Sequence, residues 1–207
     1  MLLTCLPSTA QISTVEPGKD MFRLLKQNYS VHKRVKFMRC VAEKLELDQA
    51  SVDLVSVGNA IHLFNAQEFS SEAARVLKED GVLLVARNGR TPSDLNLSID
   101  RLFEEMGAEN SNWRQGLSET WSLPEPMLKW STQFYRSENW TRSMSVEEYL
   151  RLELSRPHAS QAARRAPAVD LHTQIRKIVE RTIKTESVEV EYVCQAYAFT
   201  KKAVAIT

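Results

Sequence analysis

Two short runs, Val52–Val57 and Val82–Ala86, are almost wholly apolar, and a single helix-length stripe separates them. Apolar runs of this length, bounded by polar residues, mark strands covered on both faces, the habit of parallel sheets. Between them Phe69, Ala73, Ala74, Val76 and Leu77 recur at helical spacing over residues 67–78, and no hairpin turn intervenes. Strand, helix and strand joined in this way predict a right-handed βαβ unit and hence a parallel sheet. The first run leaves its strand through Gly58 and Asn59 and continues as Ala60, Ile61 and His62. Open α/β sheets bind ligands at the carboxyl ends of their strands, so this turn is the first candidate for a site.

The flanking sequence extends the pattern. Residues Gln11–Val15 alternate and are β-branched, predicting a strand that stops at Glu16-Pro17-Gly18, and Met21–Tyr29 has the spacing of an amphipathic helix. Val35–Arg39 reads as a further strand, and Gly81 as the stop after the helix of residues 67–78. Beyond Arg87 the spacing predicts a helix over Ser98–Met106, a strand over Gln133–Ser137, and a helix opened by a capping box at Ser145 and Glu148. Small and polar residues make 160–167 a mobile loop, Val169–Ile183 returns to helical spacing, and Ser187–Thr200 alternates as a long strand that would close the sheet as an edge. The four tryptophans, Trp113, Trp121, Trp130 and Trp140, read as core or as a lid over a pocket.

A chain of 207 residues suits one domain, with residues 1–87, 88–168 and 169–207 as successive parts of it, and 27 Lys and Arg against 26 Asp and Glu call for neither a nucleic-acid nor a membrane partner. Cys5, Cys40 and Cys194 are odd in number and form no C-x-x-C pair, which suits reduced thiols in a cytoplasmic protein. The first ten residues carry no positive charge ahead of their apolar patch, so neither a signal peptide nor a membrane segment is expected there. No dinucleotide glycine motif, P-loop, H-E-x-x-H or nucleophile elbow is present, and His32, His62, His158 and His172 are too scattered for a sequence-local metal site.

What remains is a set of strand ends. Glu16, Ala42-Glu43, Gly58-Asn59-Ala60 and Arg87 each follow a strand, and a parallel sheet would align them along one edge. Two carboxylates beside a Gly-Asn turn form a crevice suited to a nucleoside, because one carboxylate can accept both hydroxyls of a ribose. Each position has a plainer role: Glu16 as part of a surface turn, Asp53 as the partner of a nearby backbone group or helix end, and His62 as a packed, hydrogen-bonded histidine rather than a base.

The segments VEPGKDM, VKFMRCVAEKLEL, ASVDLVSVGNAIHLF and EAARVLKEDGVLLVAR resemble, in order, the motifs of class I S-adenosylmethionine-dependent methyltransferases, especially the ubiquinone-biosynthesis-methyltransferase-like group. The likeness runs from Ile12 to Arg87, and MSVEEYLRLELSRPHAS and ESVEVEYVCQAYAFTK resemble the family's variable C-terminal half more weakly. It implies a Rossmann-like, doubly wound α/β fold, mostly parallel, with an antiparallel C-terminal edge strand. It implies S-adenosylmethionine as cofactor and a small-molecule acceptor. By position it implies that Glu16 holds the ribose, that Pro17 and Met21 lie against the adenine, and that Ala42 and Glu43 read the adenine edge. Asn59 and Ala60 would line the methionine and sulfonium portion, with His62 toward the acceptor.

One departure from the pattern is large. The family opens with a strand and a D-x-G-x-G-x-G loop, and its first strand lies at the centre of the sheet, between the strands that end here in Glu16 and Ala60. No glycine precedes Gly18 in this sequence. Three expectations follow: a chain shortened at its start, a gap filled by the short N-terminal segment or by another chain, or a non-catalytic relative that serves as a scaffold. Unless that gap is filled, the sheet is expected to be incomplete on its N-terminal side, with two apolar strands each left with an unpaired edge.

Overall fold

The computed structural model describes residues 6–108 and 130–201. In chain order the elements are β1 (Ile12–Val15), α1 (Lys19–Tyr29), β2 (Val35–Met38), β3 (Val52–Gly58), α2 (Ala66–Val76), β4 (Leu77–Arg90), α3 (Asp94–Glu105), β5 (Ser131–Ser145), α4 (Val146–Leu154), α5 (Pro157–Arg165), α6 (Leu171–Thr182) and β6 (Ser187–Thr200). They form a two-stranded sheet, β1-β2, and a four-stranded sheet in the order β3-β4-β6-β5. The chain gathers into two compact units, the first from Met1–Val85, Leu123–Tyr135 and Tyr197–Thr207, the second from Ala86–Ser122 and Arg136–Ala196.

In the first unit β1 and β2 pair in parallel, Ile12 opposite Val35 through Val15 opposite Met38. Strand β3 starts beside β4, since the amides of Ala50 and Ser51 donate to the carbonyls of Arg75 and Val76, and with α2 as the crossover the two strands run parallel. Asn65 caps α2 by accepting from the Glu68 amide, and Phe69, Ala73 and Val76 are its buried face. Among the described residues β1 and β3 each end their sheet, so the backbone ladder is interrupted between them.

That interruption corrects the reading of the Val52–Val57 run as covered on both faces. Only Val57 of β3 is buried, while Asp53, Leu54, Ser56 and Gly58 are exposed. Asp53 pairs with Lys78 Nζ at 2.7 Å on the surface instead of satisfying a buried group. Helix α1 buries no residue, and Met21 and Leu24 stand 59% and 44% exposed, because a floor of four-residue strands cannot cover an amphipathic face. The helix α2 stops at Val76, before Gly81, yet the Glu79-Asp80-Gly81 turn is real: a Cβ on Gly81 would lie 3.1 Å from the Lys78 backbone. Three residues of extended chain would span about 10 Å, so the chain bends sharply there within the span assigned to β4.

The second unit has a continuous core. Leu95, Ile99 and Phe103 from α3, Tyr149 and Leu150 from α4, Ala159 and Ala162 from α5, and Ile175 and Val179 from α6 meet Val188 and Val190 of β6. The capping box at Ser145 and Glu148 is present. Residues 160–167, expected to be loop, lie largely in α5, which starts with Pro157 in its first turn and buries only alanines on its inner side. Strand β5 is 15 residues long, well beyond the expected Gln133–Ser137. The C-terminal strand β6 runs antiparallel to its neighbours, with Thr91 donating to Glu191 on one side and Tyr197 facing Tyr135 and Tyr192 facing Trp140 on the other. It lies one place in from the edge, with β5 outside it.

Inside this core sits a charged network. Glu153 is fully buried and accepts from Arg90 and, at 2.6 Å, from Arg156, which also pairs with Asp100 at 2.6 Å. Tyr149 donates to Asn96 at 2.8 Å, and burial, with the Glu153 charge adding to it, pushes its phenol well above the usual range. Removing one member of a buried ionic cluster leaves its partners uncompensated, which costs about 3–5 kcal/mol. Glu153→Ala is therefore expected to lower unfolding stability by that amount, read as a fall in the urea midpoint at unchanged slope.

Candidate functional site

The parallel register of β1 and β2 brings Glu16 next to the end of β2, where its amide donates to the Met38 carbonyl at 3.2 Å. The Glu16 carboxylate is half-buried and turned back on its own turn, Oε1 accepting from the Gly18 amide at 2.7 Å. Gly18 is the residue this arrangement needs, because a Cβ there would stand 2.9 Å from that same oxygen. No further hydrogen bond to this carboxylate is made among the described residues, so Oε2 keeps its full accepting capacity. Pro17 is exposed, and its carbonyl accepts from Arg39 Nε at 3.5 Å. The turn reading and the ligand reading of Glu16 are thus compatible: one oxygen fixes the turn and the other faces outward.

The loop after β2 is held from the other side. Ala42 and Glu43 are half-buried, and Glu43 Oε1 accepts from the Asn65 amide at 2.8 Å, so this carboxylate serves the start of α2. Glu72 and Arg75, one turn apart on α2, staple the loop: Glu72 accepts from the Leu45 amide at 2.6 Å and from Arg75 Nε at 2.7 Å. Arg75 in turn donates to the carbonyls of Leu47 at 2.9 Å and Leu45 at 3.2 Å. The Arg75 hydrogen bond holds the Glu72 carboxyl below the usual range, against the opposing effect of burial. Sequence reading missed this pair; its only trace is an acid and a base three apart on a helix, a common surface pattern.

At the end of β3, Asn59 adopts a left-handed backbone with φ 54°, which asparagine tolerates better than most residues. A Cβ on Gly58 would meet nothing within 4 Å, so open space lies beside this turn. Ala60 precedes a short helical turn, Ile61–Leu63, in which Ile61 is buried and His62 is exposed. His62 is therefore no packed core histidine. Arg87, expected at a strand end, lies within β4, which continues to Arg90. Burial pulls its guanidinium below the ordinary arginine value.

Trp130 is buried and donates to Ser70 Oγ at 2.9 Å, whereas Trp140 is exposed and donates to Asn88 at 2.9 Å. Trp113 and Trp121 lie outside the described residues. Among the described residues no group of three or more His, Cys, Asp or Glu could hold a metal ion, and no helix is long and apolar enough to cross a membrane.

Replacing Glu72 by alanine leaves the Leu45 amide without its acceptor and Arg75 with only the Leu45 and Leu47 carbonyls. The expected loss is about 1–2 kcal/mol, at the low end for a charged pair because water screens Arg75. The Glu72 carboxyl is depressed in the folded state, so its stabilisation is complete above the ordinary carboxylate range and disappears as pH falls through the lowered folded value. Wild type and Glu72→Ala should therefore converge in urea-unfolding stability in acid, below the carboxylate range, and differ at neutral pH.

Comparison with known proteins shows what this chain is similar to. Residues 2–85 match the profile described as a methyltransferase domain. The chain is 41% identical over 51 residues to a candidate methyltransferase of Dictyostelium discoideum, a match covering 25% of this chain and 19% of that protein. It is 32% identical over 75 residues to a ubiquinone/menaquinone biosynthesis C-methyltransferase of Campylobacter jejuni, covering 36% of this chain and 31% of that enzyme. The matches thus span less than a third of either relative. In fold, the chain superposes on a candidate type II methyltransferase from Anaeromyxobacter dehalogenans with a TM-score of 0.67 at 19% identity, covering 92% of this chain and 80% of that one. Residues 2–85 are thus similar to the methyltransferase domain family over about two fifths of the chain, and the chain shares the fold of the superposed structure, a Rossmann-like α/β fold with a mixed sheet.

Proposed function

We propose that the chain serves S-adenosylmethionine-dependent methyl transfer to a small-molecule acceptor, by in-line attack of the acceptor on the sulfonium methyl, in the cytoplasm. The observation that carries this reading is the Glu16 carboxylate: half-buried at the carboxyl end of a parallel strand, fixed through one oxygen and free to accept through the other. That is the donor-poor, acceptor-rich arrangement a ribose diol requires. The residues present fit the nucleoside half of the cofactor. Glu16 would hold the ribose, Pro17 and the Ala42–Glu43 loop would flank the adenine, and Asn59 and Ala60, beside the open space at Gly58, would border the methionine portion. With Glu43 Oε1 given to the Asn65 amide, the contribution of that side chain to adenine recognition would come through its other oxygen.

When bound, S-adenosylmethionine supplies an already activated methyl group, so the protein contributes positioning and the exclusion of water. The Glu72–Arg75 staple keeps the loop at Ala42 in one conformation, and the capped start of α2 fixes the turn that follows β3. His62, exposed beyond that turn, is the side chain suited to take a proton from an acceptor that must lose one.

A second reading, a methyltransferase-like scaffold without cofactor binding, is favoured by one specific observation: β1 and β3 terminate separate sheets, so the two halves of the site are not held by one ladder. Titration calorimetry with S-adenosylmethionine separates the two readings. Micromolar binding that weakens about tenfold to a hundredfold in Glu16→Ala, the equivalent of one or two charge-assisted hydrogen bonds, supports the first. A folded protein that shows no binding heat supports the scaffold.

A further inference from the structure

Among the described residues, strand β5 is the last strand of the four-stranded sheet, and its outer side is a long edge. Over Ser131–Ser145 it has few of the features that usually protect such an edge: it contains no proline and no lysine, and residues 134–143 are exposed throughout. Phe134 is 49% exposed and Trp140 is 42% exposed, with Arg136 and Glu138 between them, paired at 2.6 Å. These four residues lie on one face if the strand alternates regularly. The contact between Arg136 and Glu138, two residues apart, fits that alternation.

The face therefore reads Phe134, Arg136, Glu138, Trp140 along the strand, an apolar, positive, negative, apolar order. We propose that this edge pairs antiparallel with the same edge of a second copy of the chain, about a two-fold axis at Ser137. In that register Phe134 faces the partner's Trp140 and Arg136 faces the partner's Glu138, and by symmetry each contact occurs twice. Pairing registers for such an axis change in steps of two residues, because opposed side chains must share a face. One step in either direction sets Arg136 against Arg136 or Glu138 against Glu138 at the centre, and places Phe134 opposite a charged residue. Charge thus selects both the partner and the register, and the bare aromatic edge acquires a specific cover.

Sedimentation of the full chain across a concentration series tests the pairing, with circular dichroism as the check on folding. A wild-type dimer is expected. Arg136→Glu and Glu138→Arg, made singly, are each expected to weaken association about tenfold or more by setting like charges in contact, and the double exchange to restore it. A wild-type chain that stays monomeric overturns the proposal, as does a dimer indifferent to the single reversals or one that the double exchange does not rescue. The axis has its own readout, in a background with Cys5, Cys40 and Cys194 changed to serine. Ser137→Cys should cross-link to itself on mild oxidation, since opposed residues of an antiparallel pair lie within disulfide reach, whereas Asn139→Cys should not. The reverse pattern overturns the register.

Discussion

A strand inside a sheet has two edges of amide and carbonyl groups, and both must find partners; the layout of this chain follows from where that requirement is met and where it is not. Among the described residues β4 and β6 are paired on both sides, whereas β1 and β3 each have one neighbour. The doubly paired strands carry most of the buried strand residues, although β2, with one neighbour, also buries Val35 and Met38. Leu83, Val85, Val188, Val190 and Phe199 on the doubly paired strands are buried, while β1 buries no residue and β3 buries only Val57. An unpaired edge keeps its backbone groups in water, and side chains beside a wet edge cannot be sealed. Leu54 on β3 stands exposed beside such an edge although its side chain is apolar.

The second unit has a core of its own. Its helices bring whole apolar faces to one core, and the Arg90, Glu153, Arg156 and Asp100 cluster ties β4, α3, α4 and the turn after α4 together through charge-assisted bonds. A buried cluster of this kind adds little net stability compared with apolar side chains of the same volume, but it tolerates few alternative arrangements. The two units are therefore stabilised by different means, one by a closed core with a fixed polar centre, the other by short ladders and by staples such as Glu72 and Arg75.

Much of this was legible in the residues. Parallel pairing followed from two apolar runs with one helix between them, and the capping box at Ser145 marks a helix start by the chemistry of side chains that accept backbone amides. The failures have physical causes. The Val52–Val57 run reports only that its side chains are apolar; whether they are covered depends on a neighbouring strand, which is a property of other residues. Residues 160–167 looked like loop because small and charged residues carry little periodic signal, yet alanines at 159 and 162 suffice where the helix lies close to its neighbour. At the candidate site, Glu16 could be singled out because acid, proline and glycine follow a strand. The commitment of Glu43 to Asn65 could not, since it depends on a contact 22 residues away.

The chain's open edges differ in kind, and the difference bears on how the candidate site is to be understood. The edges of β1 and β3 carry short strands with Ser13, Asp53 and Ser56 exposed beside them, a surface that water satisfies at small cost. The edge of β5 presents aromatic rings flanking an ion pair, which water satisfies poorly and a complementary strand satisfies well. Ligand binding between strand ends requires those ends to hold their spacing, because a displacement of about 1 Å in a positioned group can cost about a hundredfold in rate. Here Glu16 and the Asn59 turn are each rigid within their own ladder, through Gly18 in one case and the capped start of α2 in the other. Their mutual spacing is set by no shared backbone pairing, since β1 and β3 belong to different sheets. The recognition groups are thus local properties of the turns that carry them, whereas catalytic precision is a property of the ladder that would join them.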